Sequence, residues 1–152
     1  MPYYKVLPED FRVDELMKPV VDAKPKAYAY YLLCKRNKEN FILFRHLASK
    51  IHLKPHDIGY AGIKDKRAVT KQHISIPAHA RRAFDSLHLD DVQITFLGYA
   101  DKPITLGDHE GNSFHITVRN ISHRLSLQAS SFINFFDTQR LGDQATTIGR
   151  AL

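Results

Sequence analysis

Gly59-Tyr60-Ala61-Gly62-Ile63-Lys64-Asp65-Lys66-Arg67-Ala68-Val69-Thr70-Lys71-Gln72 sets one carboxylate, Asp65, among the cations Lys64, Lys66, Arg67 and Lys71. A surface built only to hold phosphates gains nothing from an acid there, because the acid repels the backbone that the cations attract. An isolated Lys-Asp-Lys is ordinarily a solvated turn with a local ion pair. The flanks argue for more than that. Tyr60-Ala61-Gly62 brings an apolar run into a glycine turn, and Ala68-Val69-Thr70 resumes a strand-like run. A lone carboxylate presented between two strands, against a polyanion, points to chemistry on a nucleotide.

Outward from this loop, the chain mixes strands and helices irregularly. Tyr3–Leu7 and Phe11–Leu16 read as short extended segments around Pro8-Glu9-Asp10, and Val20–Lys26 as a loop. Ala27–Lys35 is a strong strand, with Cys34 read as a core residue. Asn40–Leu53 spaces Phe41, Phe44, Leu47, Ala48 and Ile51 along one helical face, with Asn40 as N-cap. Asp57–Ile63 and Val69–Ile76 are predicted strands on either side of the charged loop. Ala80–His88 is a short basic helix, Val92–Ala100 a strand, and Ile104–Glu110 a turn around Gly107. Phe114–Val118 alternates as a half-buried strand does, and Leu125–Leu141 is mostly helical. This order favours an α+β fold with a mixed, largely antiparallel sheet and flanking helices over a doubly wound one.

Composition narrows the function classes. The chain has 152 residues, one domain's worth, and its 43% hydrophobic content supports a core. Its 22 Lys and Arg against 16 Asp and Glu leave a net charge of +6, which suits a polyanionic partner, nucleic acid first. With the single cysteine Cys34 no internal disulfide forms, which fits a reducing cytoplasm. No apolar run approaches the ~20 residues of a membrane span. His52 and His56 have a ligand-like spacing, but Pro55 between them argues against a helix, and no metal site is expected. Phosphate-cradling glycine motifs and a nucleophile elbow are missing too. Gly111-Asn112-Ser113-Phe114 offers an amide for a base edge and a ring for stacking, although a Gly-Asn turn with a core Phe is the plainer alternative.

Together these segments resemble the TruD family of tRNA pseudouridine synthases. Lys5 with Pro8-Glu9-Asp10-Phe11-x-Val13-x-Glu15 is similar to the opening motif, and Ala61–Gln72 to the signature loop nearly residue for residue. Leu106-Gly107 with Gly111–Phe114, and Asn134–Gly142, resemble two further motifs. Phe135, Asp137 and Leu141 depart from the family's Tyr, Gly and Phe in the last one. Family members are much longer, so residues 1–152 are expected to be the N-terminal portion of the catalytic domain, with its remainder and an inserted domain absent. The resemblance implies isomerisation of uridine to pseudouridine, at uridine 13 of transfer RNA, with Asp65 catalytic and no cofactor. It implies that Phe11 and Phe114 hold the base, that Asn112 hydrogen-bonds it, and that Lys5 pairs with Asp65 or a phosphate. Lys64, Lys66, Arg67 and Lys71 are expected on the RNA backbone. The alternative is a truncated RNA-binding module with weak or no catalysis. A chain ending mid-fold is also expected to self-associate through Leu125–Leu141.

Overall fold

The computed structural model describes residues 3–122. The chain divides into two compact units, Met1–Ile121 and Ser122–Leu152, and every element below belongs to the first. In chain order these are β1 (Tyr3–Tyr4), β2 (Phe11–Leu16), β3 (Tyr28–Arg36), α1 (Asn40–Lys50), β4 (Gly59–Tyr60), β5 (Val69–Pro77), α2 (Arg81–Asp85), β6 (Val92–Ala100), β7 (Gly111–Ile116) and β8 (Val118–Arg119). The main sheet runs β6-β3-β5-β2-β7, with β4 added to β5. Strands β2 and β5 are parallel and all other neighbours antiparallel, so the fold is α+β with a mixed sheet. A separate two-stranded ribbon joins β1 to β8.

Side-chain alternation explains the layering. Tyr31 and Leu33 of β3 and Ile74 and Ile76 of β5 turn one way and meet Leu43, Phe44 and Leu47 of α1. Burying each large apolar side chain stabilises the fold by about 1.5–3 kcal/mol. Tyr30 joins a smaller cluster with Ala61, Ala100 and Ile104. A third cluster of Phe11, Val13 and Ala68 ties the start of β2 to the end of the charged loop. That loop is anchored at both ends, by Gly107 N–H on the Ala61 carbonyl at 2.9 Å and Asn37 N–H on the Ala68 carbonyl at 3.0 Å.

Several local expectations change. The helix begins as predicted, but its N-cap is Glu39, whose carboxylate accepts from Phe41 and Ile42 N–H; Asn40 lies inside the first turn, fully buried. The expected strand Asp57–Ile63 shrinks to Gly59–Tyr60, because Pro55–Asp57 forms a 3-10 turn. At Gly59 a Cβ would collide with the Ile104 carbonyl and the Ser75 hydroxyl, so this short strand passes where only glycine fits. The basic helix is reduced to Arg81–Asp85 after a 3-10 turn at Ala78–Ala80. The strand read at Phe114–Val118 runs instead over Gly111–Ile116, and it is exposed rather than half-buried, with Phe114 at 55%. Cys34 is half-buried, since it points away from the face that Leu33 and Lys35 share. Leu125–Leu141 lies outside the described residues.

Candidate active site

Asp65 lies in the loop between β4 and β5 and keeps 38% of its side chain exposed. Its partner is Lys5, whose ammonium stands 3.2 Å from Oδ1. Lys5 follows β1 in the left-handed backbone region, at φ 55°, which costs a non-glycine residue about 1–3 kcal/mol. The ammonium also sits 3.7 Å from the centre of the Phe11 ring, a cation–π contact. Phe11 itself is nearly buried, and Phe114 of β7 packs on it at 5.9 Å between centroids. A carboxylate, its counter-cation and two aromatic rings therefore converge, and Phe114 leaves an open face toward solvent.

The sheet register places these groups. Phe114 is opposite Val13, and Asn112 is opposite Glu15, across the β2–β7 ladder. Cross-strand partners share a face, so Phe11, Val13, Glu15, Asn112 and Phe114 belong to the same side of the sheet. Among the described residues the Asn112 Oδ1 is buried without a partner, and so is Nδ1 of His109. Gly62 lets the His109 ring and Lys64 close on the loop, since a Cβ there would meet His109 Cε1 at 3.3 Å and Lys64 Nζ at 3.4 Å. Asp10, at the entrance of β2, accepts both an Nε and an NH2 bond from Arg119 of β8, and those bonds, with the Leu7 N–H, hold its carboxyl down at about 2.

The basic residues separate into two groups. Lys66 and Arg67 are exposed, and Lys71 is exposed with Asp14 at 3.6 Å. Lys64 is only 5% exposed, with Nζ 2.5 Å from Glu15 Oε2. A buried, paired ammonium does not reach an RNA phosphate, so the backbone contact expected of Lys64 is corrected to an internal ion pair. Glu15 also accepts from the His73 N–H at 2.9 Å and contacts His73 Nδ1 at 3.2 Å. That N–H falls where the β2 ladder on β5 ends, at Asp14–Lys71, and before the β4 ladder begins, at Tyr60–Ile74. Glu15 thus satisfies an amide that neither neighbour strand reaches. Burial pushes its carboxyl up, but the His73 ring, Lys64 and the His73 N–H outweigh it, leaving the carboxyl below its ordinary value.

Two buried charges escaped the sequence reading as site residues. Glu15 appeared only as a motif position, and Lys35 only as the end of a strand. The signal for Lys35 was its parity with Tyr31 and Leu33 on β3. Among the described residues no group of three His, Cys, Asp or Glu side chains is arranged to hold a metal, and no helix is long and apolar enough to cross a membrane.

Comparison with known proteins gives a consistent result. The family model described as tRNA pseudouridine synthase D (TruD) matches residues 4–152. The tRNA pseudouridine synthase D of Aquifex aeolicus is 35% identical over 151 residues, covering 91% of this chain and 39% of that one. A sequence from Thermococcus gammatolerans is 35% identical over 150 residues, covering 92% of this chain and 36% of its own. A crystal structure described as tRNA pseudouridine synthase D from Methanosarcina mazei superposes with a TM-score of 0.74 at 36% identity, over 79% of this chain and 27% of that one. The chain thus spans 39% and 36% of the length of these two curated relatives.

Proposed function

This chain belongs to the tRNA pseudouridine synthase D (TruD) family, and on that premise we propose that it carries the catalytic aspartate of an enzyme that isomerises uridine to pseudouridine in RNA, at uridine 13 of transfer RNA. The observation that supports this reading is Asp65 itself: a partly exposed carboxylate held by Lys5 beside the Phe11–Phe114 pair. In the reaction the C1′–N1 bond breaks, the uracil turns, a C1′–C5 bond forms, C5 loses its proton and N1 gains one. Electrons balance within the nucleoside, so the chemistry calls for no redox cofactor. An ionised carboxylate at the ribose can attack C1′ or take the C2′ proton.

Each neighbour has a part in this reading. The base leaves its stack at a cost of a few kcal/mol and lies against the open face of Phe114, with Phe11 behind it. Asn112 has an unpaired buried carbonyl oxygen, an acceptor for the N3–H of uracil. Lys5 orients the carboxylate. Lys66, Arg67 and Lys71 hold backbone phosphates, which position without reading sequence. On this reading residues 1–152 are the N-terminal portion of the catalytic domain, and the protein acts in the cytoplasm. Association of copies through Leu125–Leu141 belongs to the same reading.

The test is Asp65→Asn in the full-length protein. It is nearly isosteric and removes the charge. Tritium release from 5-tritiated uridine in transfer RNA is expected to fall below detection, while RNA binding persists. Turnover near the wild-type rate would remove Asp65 from the mechanism.

A further inference from the structure

Lys35 is the most deeply buried cation of the described chain, with no exposed surface at all. It belongs to β3 and faces inward with Tyr31 and Leu33. Among the described residues it forms no ion pair within 4.0 Å. Its ammonium instead donates to two main-chain carbonyls, those of Lys38 and Asp65, each at 2.8 Å. The first lies in the turn that leads into α1. The second is the peptide of the carboxylate described above. A charge taken out of water without a carboxylate is costly, and hydrogen bonds to neutral carbonyls recover only part of that cost. A group held at such a cost and aimed at a site loop fits the usual trade of stability for activity.

We infer that Lys35 is a positioning residue: its buried ammonium ties the Asp65 peptide to the entrance of α1 and so fixes the direction in which the carboxylate leaves the loop. The inference rests on the reading of Asp65 as the reacting group. Lys5 holds the carboxylate from its tip, and Lys35 holds the same residue from its main chain. With both ends fixed, the side chain has little freedom to turn away from a ribose. Burial lowers the Lys35 ammonium to about 8, while Asp65 and Glu39 pull it up and Lys64 pushes it further down. The tether therefore weakens within an accessible pH range, as the charge-assisted bond becomes an ordinary amine contact.

Two measurements test this. In the wild-type chain, the Lys35 side-chain carbon next to nitrogen and the main-chain carbonyl carbon of Asp65 are followed by NMR from pH 6 to pH 10.5 (about the ordinary lysine value). Both signals are expected to move with one midpoint, and Lys35→Met is expected to abolish the movement at Asp65. An Asp65 carbonyl that stays still while Lys35 titrates would overturn the tether. In the full-length protein, Lys35→Met is expected to lower kcat by roughly a hundred-fold, the cost of a small misplacement, with KM unchanged. An unchanged kcat, with Asp65→Asn inactive, would overturn the positioning role and leave the catalytic reading standing. Turnover surviving in Asp65→Asn would overturn that reading, and with it the positioning role, whatever the tether shows.

Discussion

Lys5 and Asp65 stand sixty positions apart in the chain and 3.2 Å apart at their charged tips. The pair is partly open to solvent, at 27% and 38% exposure, so it adds little to stability, about 0–1 kcal/mol. Its worth lies in direction. Lys5→Met keeps the stem and removes the charge. Urea unfolding of this variant is expected to shift by less than about 1 kcal/mol, while turnover on transfer RNA falls by roughly ten- to a hundred-fold. A loss of stability that matched the loss of turnover would make Lys5 a fold residue instead.

The lysines flanking Asp65 are expected to behave as opposites. Lys64→Met leaves Glu15 buried without its ammonium, and breaking such a pair costs about 3–5 kcal/mol. Lys66→Ala and Arg67→Ala are expected to stay within about 0.5 kcal/mol of wild type, because both residues are exposed. Each is expected to weaken RNA binding and flatten its salt dependence by about one unit of log–log slope. Denaturation and filter binding across a salt series check both halves. Glu15 adds an acid limb: its carboxyl is lowered in the fold, so its contribution is complete above the ordinary 4.5 and is lost as pH falls through the lowered value.

Phe114→Ala removes an exposed ring and is expected to spare stability. It is expected to cost about 1–3 kcal/mol of RNA affinity through lost stacking. Fluorescence anisotropy on two RNAs, one with the target uridine and one abasic there, separates the causes. The loss should disappear on the abasic RNA. Equal losses on both would place Phe114 on the backbone.

Lys35 has a pH signature of its own. The folded ammonium loses its proton near about 8, against an ordinary 10.5. Between these values the unfolded chain holds a proton that the folded chain has released, so this group's contribution to stability rises with pH. Its burial penalty is present in full below about 8 and gone above 10.5. The difference in unfolding free energy between wild type and Lys35→Met is expected to move in favour of wild type across this window, by about 3 kcal/mol at most. A flat difference would show a lysine that titrates normally.

These residues also mark how far the sequence could be read. Strands β3 and β6 were legible because apolar residues dominate them, and β5 with the charged loop because Ala68-Val69-Thr70 resumes a strand-like run after the cations. The helix register was legible, but its cap was not: Glu39 caps through a carboxylate long enough to reach two N–H groups. The length of β4 was hidden because Pro55–Asp57 winds into a 3-10 turn where the local sequence reads as an extended run. The need for glycine at position 59 was hidden because its neighbours, Ile104 and Ser75, are distant in sequence. Lys64 reads as one more member of a basic run, and only the fold shows that Glu15 waits beneath it. Local charge patterns report which side chains are cations. They do not report which of them the sheet turns inward.

The left-handed backbone of Lys5 makes one consequence visible to a selection experiment. In a library with every amino acid at this position, folding and catalysis would be scored by different rules. Glycine and asparagine relax the φ of 55° and should yield well-expressed, idle protein. Valine, isoleucine and threonine resist that conformation and should be depleted even when only soluble expression is scored. Lysine is a poor choice for the backbone and the right one for the carboxylate. Position 5 is thus a site where selection for activity and selection for expression should enrich different letters.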